Sequence, residues 1–138
     1  MDRGAKILSS YCKYPFPKGK LAKQNLSFAL ARAQQLAEEA GRAATDFSIV
    51  VDTSSSAPNV TVGYAPCITR SHASSNSYWP LQYGRPFTVS ELARLQGFDP
   101  ATFLVNISAN QLAGLLGNAF TCTTLGRVLN ECIIAAEG

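Results

Sequence analysis

The side chains able to do chemistry in this chain of 138 residues are few and scattered. Four cysteines, Cys12, Cys67, Cys122 and Cys132, form no Cys-x-x-Cys pair and stand beside no histidine cluster. Zinc ligation is therefore not expected, and free thiols are. His72, the one histidine, has no acidic neighbour in sequence and no nucleophile pattern beside it, which places it on a solvent-facing loop rather than at a general base. Arg70 is the single charge between residues 53 and 84, set among many Ser and Thr. Hydroxyls of that kind can touch phosphates while a guanidinium supplies a charge-assisted contact; a plain polar loop has the same composition. Near the N-terminus Arg3, Lys6, Lys13, Lys18, Lys20 and Lys23 are offset by Asp2 alone, with Tyr11, Tyr14 and Phe16 among them. Such a segment suits a phosphate backbone, where cations displace counterions and aromatic rings stack. A solvated arm is the rival, favoured by Pro15, Pro17 and Gly19.

These residues need elements to hold them, and the clearest is residues 84–98, GRPFTVSELARLQGF. Thr88 and Glu91 stand in capping-box spacing, Leu92 and Leu95 form an apolar pair, and Gly97 supplies a left-handed stop. So short a helix is unstable alone and must dock its leucines on something. Upstream, residues 21–42 carry a helical apolar face of Leu26, Ala29, Leu30, Ala33, Leu36, Ala37 and Ala40, stopped at Gly41. Residues 46–52, DFSIVVD, read as a strand, and Val60 to Val62 as a shorter one after a turn-rich stretch. Downstream, Ser108 and Gln111 repeat the capping box, Leu112, Leu115 and Leu116 give a stripe, and Gly117 is the expected stop. By spacing alone, Gly117 and Asn118 make an ordinary helix exit. A last helix opens at Thr121 or Thr123, with Leu125, Val128, Leu129, Cys132 and Ile133 on one face. Residues 100–126 hold no Asp, Glu, Lys or Arg, so this segment is expected to be buried or to face an uncharged part of a ligand.

Residues 84–98 resemble the late motif of DNA cytosine-5 methyltransferases, Arg-x-Leu/Phe-Thr followed by Glu-x-x-Arg-Leu-Gln-Gly-Phe. Residues 114–120, GLLGNAF, resemble that family's last motif, Gly-Asn-Ala/Ser-Val, and residues 65–75, APCITRSHASS, are similar to the strand that precedes the late motif. Three segments agree in order and spacing, and the resemblance covers roughly residues 47–135. It implies that Asn118, with the backbone of Ala119, borders the methionine portion of S-adenosylmethionine. It also implies that Arg85, Glu91 and Arg94 support the target-recognition region; Arg70, Lys13, Lys18 and Lys20 are candidates for the DNA backbone on charge and composition. Phe120 departs from the usual Val.

The family's nucleophile is a cysteine in a Pro-Cys-Gln loop, whose thiolate attacks C6 of a flipped cytosine so that C5 can take a methyl group. Pro66-Cys67 lacks the glutamine and lies in the segment just before the late motif, so it is assigned to the strand. Cys122 follows the last motif and is not a nucleophile candidate either. Nothing in the sequence resembles the family's Gly-rich cofactor loop, nucleophile loop or Glu-Asn-Val segment.

The expectation is therefore an α+β chain, the C-terminal portion or a split subunit of such an enzyme, inactive by itself. Its partners would be double-stranded DNA and a complementary N-terminal catalytic segment or subunit. The C-terminal helices would complete a Rossmann-like S-adenosylmethionine-dependent fold supplied by other sequence, leaving an apolar patch exposed on this chain. Residues 1–45 form a basic arm and helix, residues 46–100 small-domain strands and the late-motif helix, and residues 101–138 the helices of the cofactor domain. No apolar run reaches the roughly 20 residues of a membrane span and no signal peptide is present, so an intracellular protein without membrane or metal is expected. The alternatives are a helix-turn-helix DNA reader built from residues 89–98 and 108–118, and a catalytically dead stimulatory subunit. The first is weakened by a second helix with no positive charge and a long connection.

Overall fold

A long amphipathic helix and a small sheet carry most of the buried apolar surface. The computed structural model describes residues 17–102 and 106–137, and by contacts the chain divides into two units. One comprises residues 1–67 and 75–87, the other residues 68–74 and 88–138. The architecture is mixed, with helices and one small antiparallel sheet, so the fold class is α+β as expected.

In the first unit, α1 (Lys20–Ala40) ends where Gly41 turns left-handed at φ 62° and its N–H reaches the Ala37 carbonyl. Leu26, Ala29, Leu30 and Ala33 of α1 are buried against Ile49 and Val51 of β1 (Ile49–Asp52), with Trp79 and Leu81 completing the cluster. Burying a side chain the size of Leu or Ile stabilises by about 1.5–3 kcal/mol, so this cluster is the main support of the unit. β1 is central, pairing antiparallel with β2 (Asn59–Val62) on one side and β3 (Tyr78–Pro80) on the other. The expected strand over residues 46–52 is shorter at its start, because Ala44–Asp46 form a 3-10 turn. Asn25, on the core side of α1 and almost fully buried, donates its side-chain amide to the Asp52, Thr53 and Ser55 carbonyls, at 3.3, 3.4 and 2.8 Å. It thereby ties α1 to the end of β1 and to the turn that follows it.

The second unit is helical. Residues 65–75 were expected to contain a strand; instead Arg70–Ser74 form a short helix, α2. The local sequence Arg-Ser-His-Ala-Ser has no β-branched residue, and Ala73 is fully buried as the contact point of a helix. His72 is consequently half-buried on α2 rather than exposed on a loop. The late-motif helix α3 (Val89–Leu95) carries the expected capping box: Glu91 N–H donates to Thr88 Oγ1, and Thr88 N–H to the Glu91 carboxylate. It closes as a Schellman motif, Phe98 N–H to the Ala93 carbonyl and Gly97 N–H to the Arg94 carbonyl, both 2.9 Å, with Gly97 at φ 80°. The buried face is Leu92, Ala93 and Gln96, whereas Leu95 is 39% exposed, so the docking face lies one residue round from the expected leucine pair.

Helix α4 (Ala109–Asn118) also begins with the expected box, Ser108 with Gln111. Gly117 does not stop it. The glycine lies inside the helix because a Cβ there would fall 2.5 Å from Arg70 Cα and overlap that backbone. Close approach of α2 turns the small residues Ala113, Gly114 and Gly117 inward and leaves Leu115 58% exposed, which corrects the expected leucine stripe. Helix α5 (Cys122–Glu137) has no buried residue among those described. No helix among the described residues is long and apolar enough to cross a membrane.

Candidate functional site

The end of α4 and the start of α5 are joined through one side chain, Gln96, at the C-cap of α3. Gln96 is buried, and its Nε2 donates to the Leu116 carbonyl at 2.9 Å and the Ala119 carbonyl at 3.3 Å. Its Oε1 accepts the Thr121 hydroxyl at 2.7 Å, and its backbone carbonyl accepts Cys122 N–H at 2.9 Å. Two carbonyl acceptors on one end and a hydroxyl donor on the other fix the orientation of the amide. Four groups in the turn between the helices thus depend on a residue about 20 positions upstream. Sequence reasoning gave Gln96 no role of its own; its signals were its place in the late motif and a polar residue between the last turn of the helix and the glycine stop.

Asn118 is the last residue of α4, exposed, and its side-chain amide has no hydrogen bond among the described residues. Ala119, half-buried and extended, is engaged at both backbone groups: its N–H donates to the Leu116 carbonyl and its carbonyl accepts from Gln96. Phe120 beside it is 77% exposed, and α5 continues the open apolar surface through Leu125, Val128, Leu129, Ile133 and Ile134. Cys132 is also exposed there. The charge-free residues 100–126, expected to be buried or to face an uncharged part of a ligand, are thus largely open among the described residues.

Arg70 lies on α2 with an exposed side chain, its Cγ and Nε within 4 Å of where a Cβ on Gly114 would sit. Its guanidinium forms no ion pair or hydrogen bond among the described residues, unlike that of Arg42, which pairs with Asp46 at 3.6 Å. A groove of about 420 Å³ opens between α2 and α4 beside it.

The three residues implied as supports fall in different units. Arg85 belongs to the first, where its guanidinium stacks 5.3 Å from the Tyr83 ring centre and donates to the Pro86 carbonyl. Glu91 and Arg94 belong to the second: Glu91 closes the capping box, and Arg94 is exposed in the last turn of α3, where a cation complements the helix dipole. Lys18 and Lys20 are exposed at the start of α1, and Lys13 lies outside the described residues.

Cys67, Cys122 and Cys132 are free thiols. Cys67 is exposed in the loop before α2, not in a strand, and its carbonyl accepts the Tyr78 hydroxyl at 2.9 Å. No group of three metal-ligating side chains occurs among the described residues.

Against known proteins, no curated protein and no solved structure matches. The family model described as C-5 cytosine-specific DNA methylase matches residues 16–134. A match over that span takes in the α1 core, the capped late-motif helix and the Gln96-held turn, and the chain belongs to the C-5 cytosine-specific DNA methylase family.

Proposed function

We propose that this polypeptide is the C-terminal portion, or a split subunit, of a DNA cytosine-5 methyltransferase that transfers a methyl group from S-adenosylmethionine to C5 of cytosine in double-stranded DNA. Family membership supports the reaction class. The observation that carries the rest is the open apolar side chains before and after Asn118 in the chain, with Leu115, Phe120 and Ile133 between 57% and 77% exposed. A patch of this kind marks a surface built to be covered. In this reading residues 101–138 complete a cofactor domain whose sheet and Pro-Cys loop belong to other sequence. Residues 46–100 support target recognition, and residues 1–45 form a basic arm. The setting would be intracellular.

The residues present fit one edge of the cofactor. Asn118 offers an unengaged amide, donor and acceptor together, suited to the amino and carboxylate groups of a methionine portion. Ala119, with both backbone groups occupied, contributes the shape of the turn. S-adenosylmethionine, when bound, supplies the methyl group. Gln96 holds the turn that presents Asn118, and the apolar surface beside it keeps water from that edge. Arg85, Glu91 and Arg94 keep their own segments ordered, and Arg70, Lys18 and Lys20, with Lys13, are the cations available to phosphates.

The test is methyl transfer from labelled S-adenosylmethionine to duplex DNA, by the chain alone and mixed with a polypeptide carrying the family's Pro-Cys-Gln and Gly-rich loops. Turnover is expected only in the mixture. Turnover by the purified chain alone would overturn the portion reading, and none in either would overturn the function.

A further inference from the structure

The groove beside Arg70 has a chemistry that fixes its ligand class. It measures about 420 Å³ and is formed by α2, α4 and the segment leading into α4, all within the second unit. Its polar walls are Arg70, Ser74, Asn110 and Gln111, and its apolar walls are Ile107 and Leu115. No carboxylate lines it, so an anion would meet no repulsion. Gln111 Oε1 already accepts from the Ser108 N–H and hydroxyl, both at 3.0 Å, which leaves the Nε2 donor as the free end of that side chain. Ser74 gives its hydroxyl proton to the Ser71 carbonyl at 3.2 Å and stays neutral. The unused groups facing the groove are thus mainly donors gathered around one unpaired guanidinium.

We propose that this groove seats one backbone phosphate of double-stranded DNA, a contact that rests on the reading above and extends it from a single arginine to a built site. One guanidinium matches the single charge of a phosphodiester and offers its planar fork to two oxygens. A phosphomonoester or free phosphate, with about twice that charge at pH 7, would be left half-neutralised. Ile107 and Leu115, 41% and 58% exposed, give the adjoining sugar an apolar wall. The donors read no base, so the contact sets the position of the duplex and leaves sequence choice to other residues.

The experiment measures fluorescence anisotropy of labelled duplexes with the full chain over a series of salt concentrations, for wild type, Arg70→Gln, Arg70→Lys and Gln111→Glu. Glu serves the capping box as well as Gln does, so Gln111→Glu keeps the helix start while placing a carboxylate in the groove. Arg70→Gln and Gln111→Glu are expected to weaken duplexes of unrelated sequence roughly fivefold and to lower the log–log salt slope by about 1. Arg70→Lys is expected to keep the slope and lose part of the affinity. An unchanged slope and affinity in both charge-altering variants would overturn the phosphate seat, as would wild-type chain that binds no duplex. Inorganic phosphate that displaces duplex at millimolar concentration, beyond its effect on ionic strength, would reduce the groove to a site for free anions. Methyl transfer by the complemented mixture separates the two readings. Turnover together with an unchanged slope removes the seat alone, and absent turnover removes the methyltransferase assignment whatever the slope.

Discussion

The Thr121 hydroxyl donates to Gln96 Oε1 at 2.7 Å, and this contact ties the first turn of α5 to the end of α3. Gln96→Met keeps the length of the side chain but leaves the Ala119 carbonyl and the Thr121 hydroxyl without their partner and the Leu116 carbonyl with the Ala119 N–H alone. Each buried group left unsatisfied costs about 1–3 kcal/mol, and since these three are only partly shut off from water, a total loss of about 2–3 kcal/mol is expected. Thr121→Val should cost about 1 kcal/mol. The double variant should cost less than the sum, because the first change already removes the second residue's partner. Urea unfolding of the four proteins measures the coupling, and strict additivity would show that the two side chains act independently.

Two glycines on one helix should respond in opposite ways to the same substitution. At Gly114 a Cβ would lie 3.6 Å from Arg70 Cγ, an ordinary contact with a flexible side chain, so Gly114→Ala is expected to be neutral or to stabilise by about 0.5–1 kcal/mol through helix propensity. At Gly117 the Cβ would overlap the backbone of Arg70, and the helices must move apart. Gly117→Ala is expected to lose about 2 kcal/mol or more despite the same propensity gain. Thermal melting read by circular dichroism separates them.

The capping boxes offer a test free of packing changes, since Thr88, Ser108 and Gln111 are all exposed. Thr88→Ala and Ser108→Ala are each expected to cost about 1 kcal/mol, and Thr88→Ser much less. The check is denaturant midpoint at unchanged m-value. Equal losses for Ser and Ala at position 88 would mean that the hydroxyl does not carry the cap.

Both boxes, the Gly97 stop, the Gly41 stop and the buried stripe of α1 could be read from sequence, because each follows from backbone groups or periodicity within about a turn of itself. The faces of α3 and α4 could not. Hydrophobicity pointed to Leu95 and Leu115, and the observed faces use Gln96, Gly114 and Gly117 instead. The approach of α2, a helix where a strand is expected, decided the face of α4, and the contacts of Gln96 with the turn after α4 decided that of α3; nothing within a few residues of Gly117 encodes the backbone of Arg70. Gln96 and Asn25 were missed for the same reason, since their partners lie about 20 to 30 residues away.

The start of α1 has no acidic residue in its first turn, and Lys20 and Lys23 sit there at the positive end of the helix dipole. Lys20→Glu is expected to stabilise the chain by about 0.3–1 kcal/mol at low salt, an effect that fades as salt rises. If Lys20 touches DNA, the same variant should bind duplex more weakly, so stability and affinity would move in opposite directions. Melting and anisotropy on one sample decide it, and unaltered affinity assigns this lysine to solvent.

At Gly117 the only thing between two helices is a hydrogen atom, and Arg70 sits on one helix while Asn118 follows on the other. That gap acts as a ruler. In the function proposed above, neither a nucleic acid strand nor a sulfonium compound would need to set the interval between Arg70 and Asn118, because the backbone has already done so. Exchanging the arginine for lysine, or the asparagine for serine, would leave that spacing in place, whereas any side chain at position 117 would force the two helices apart.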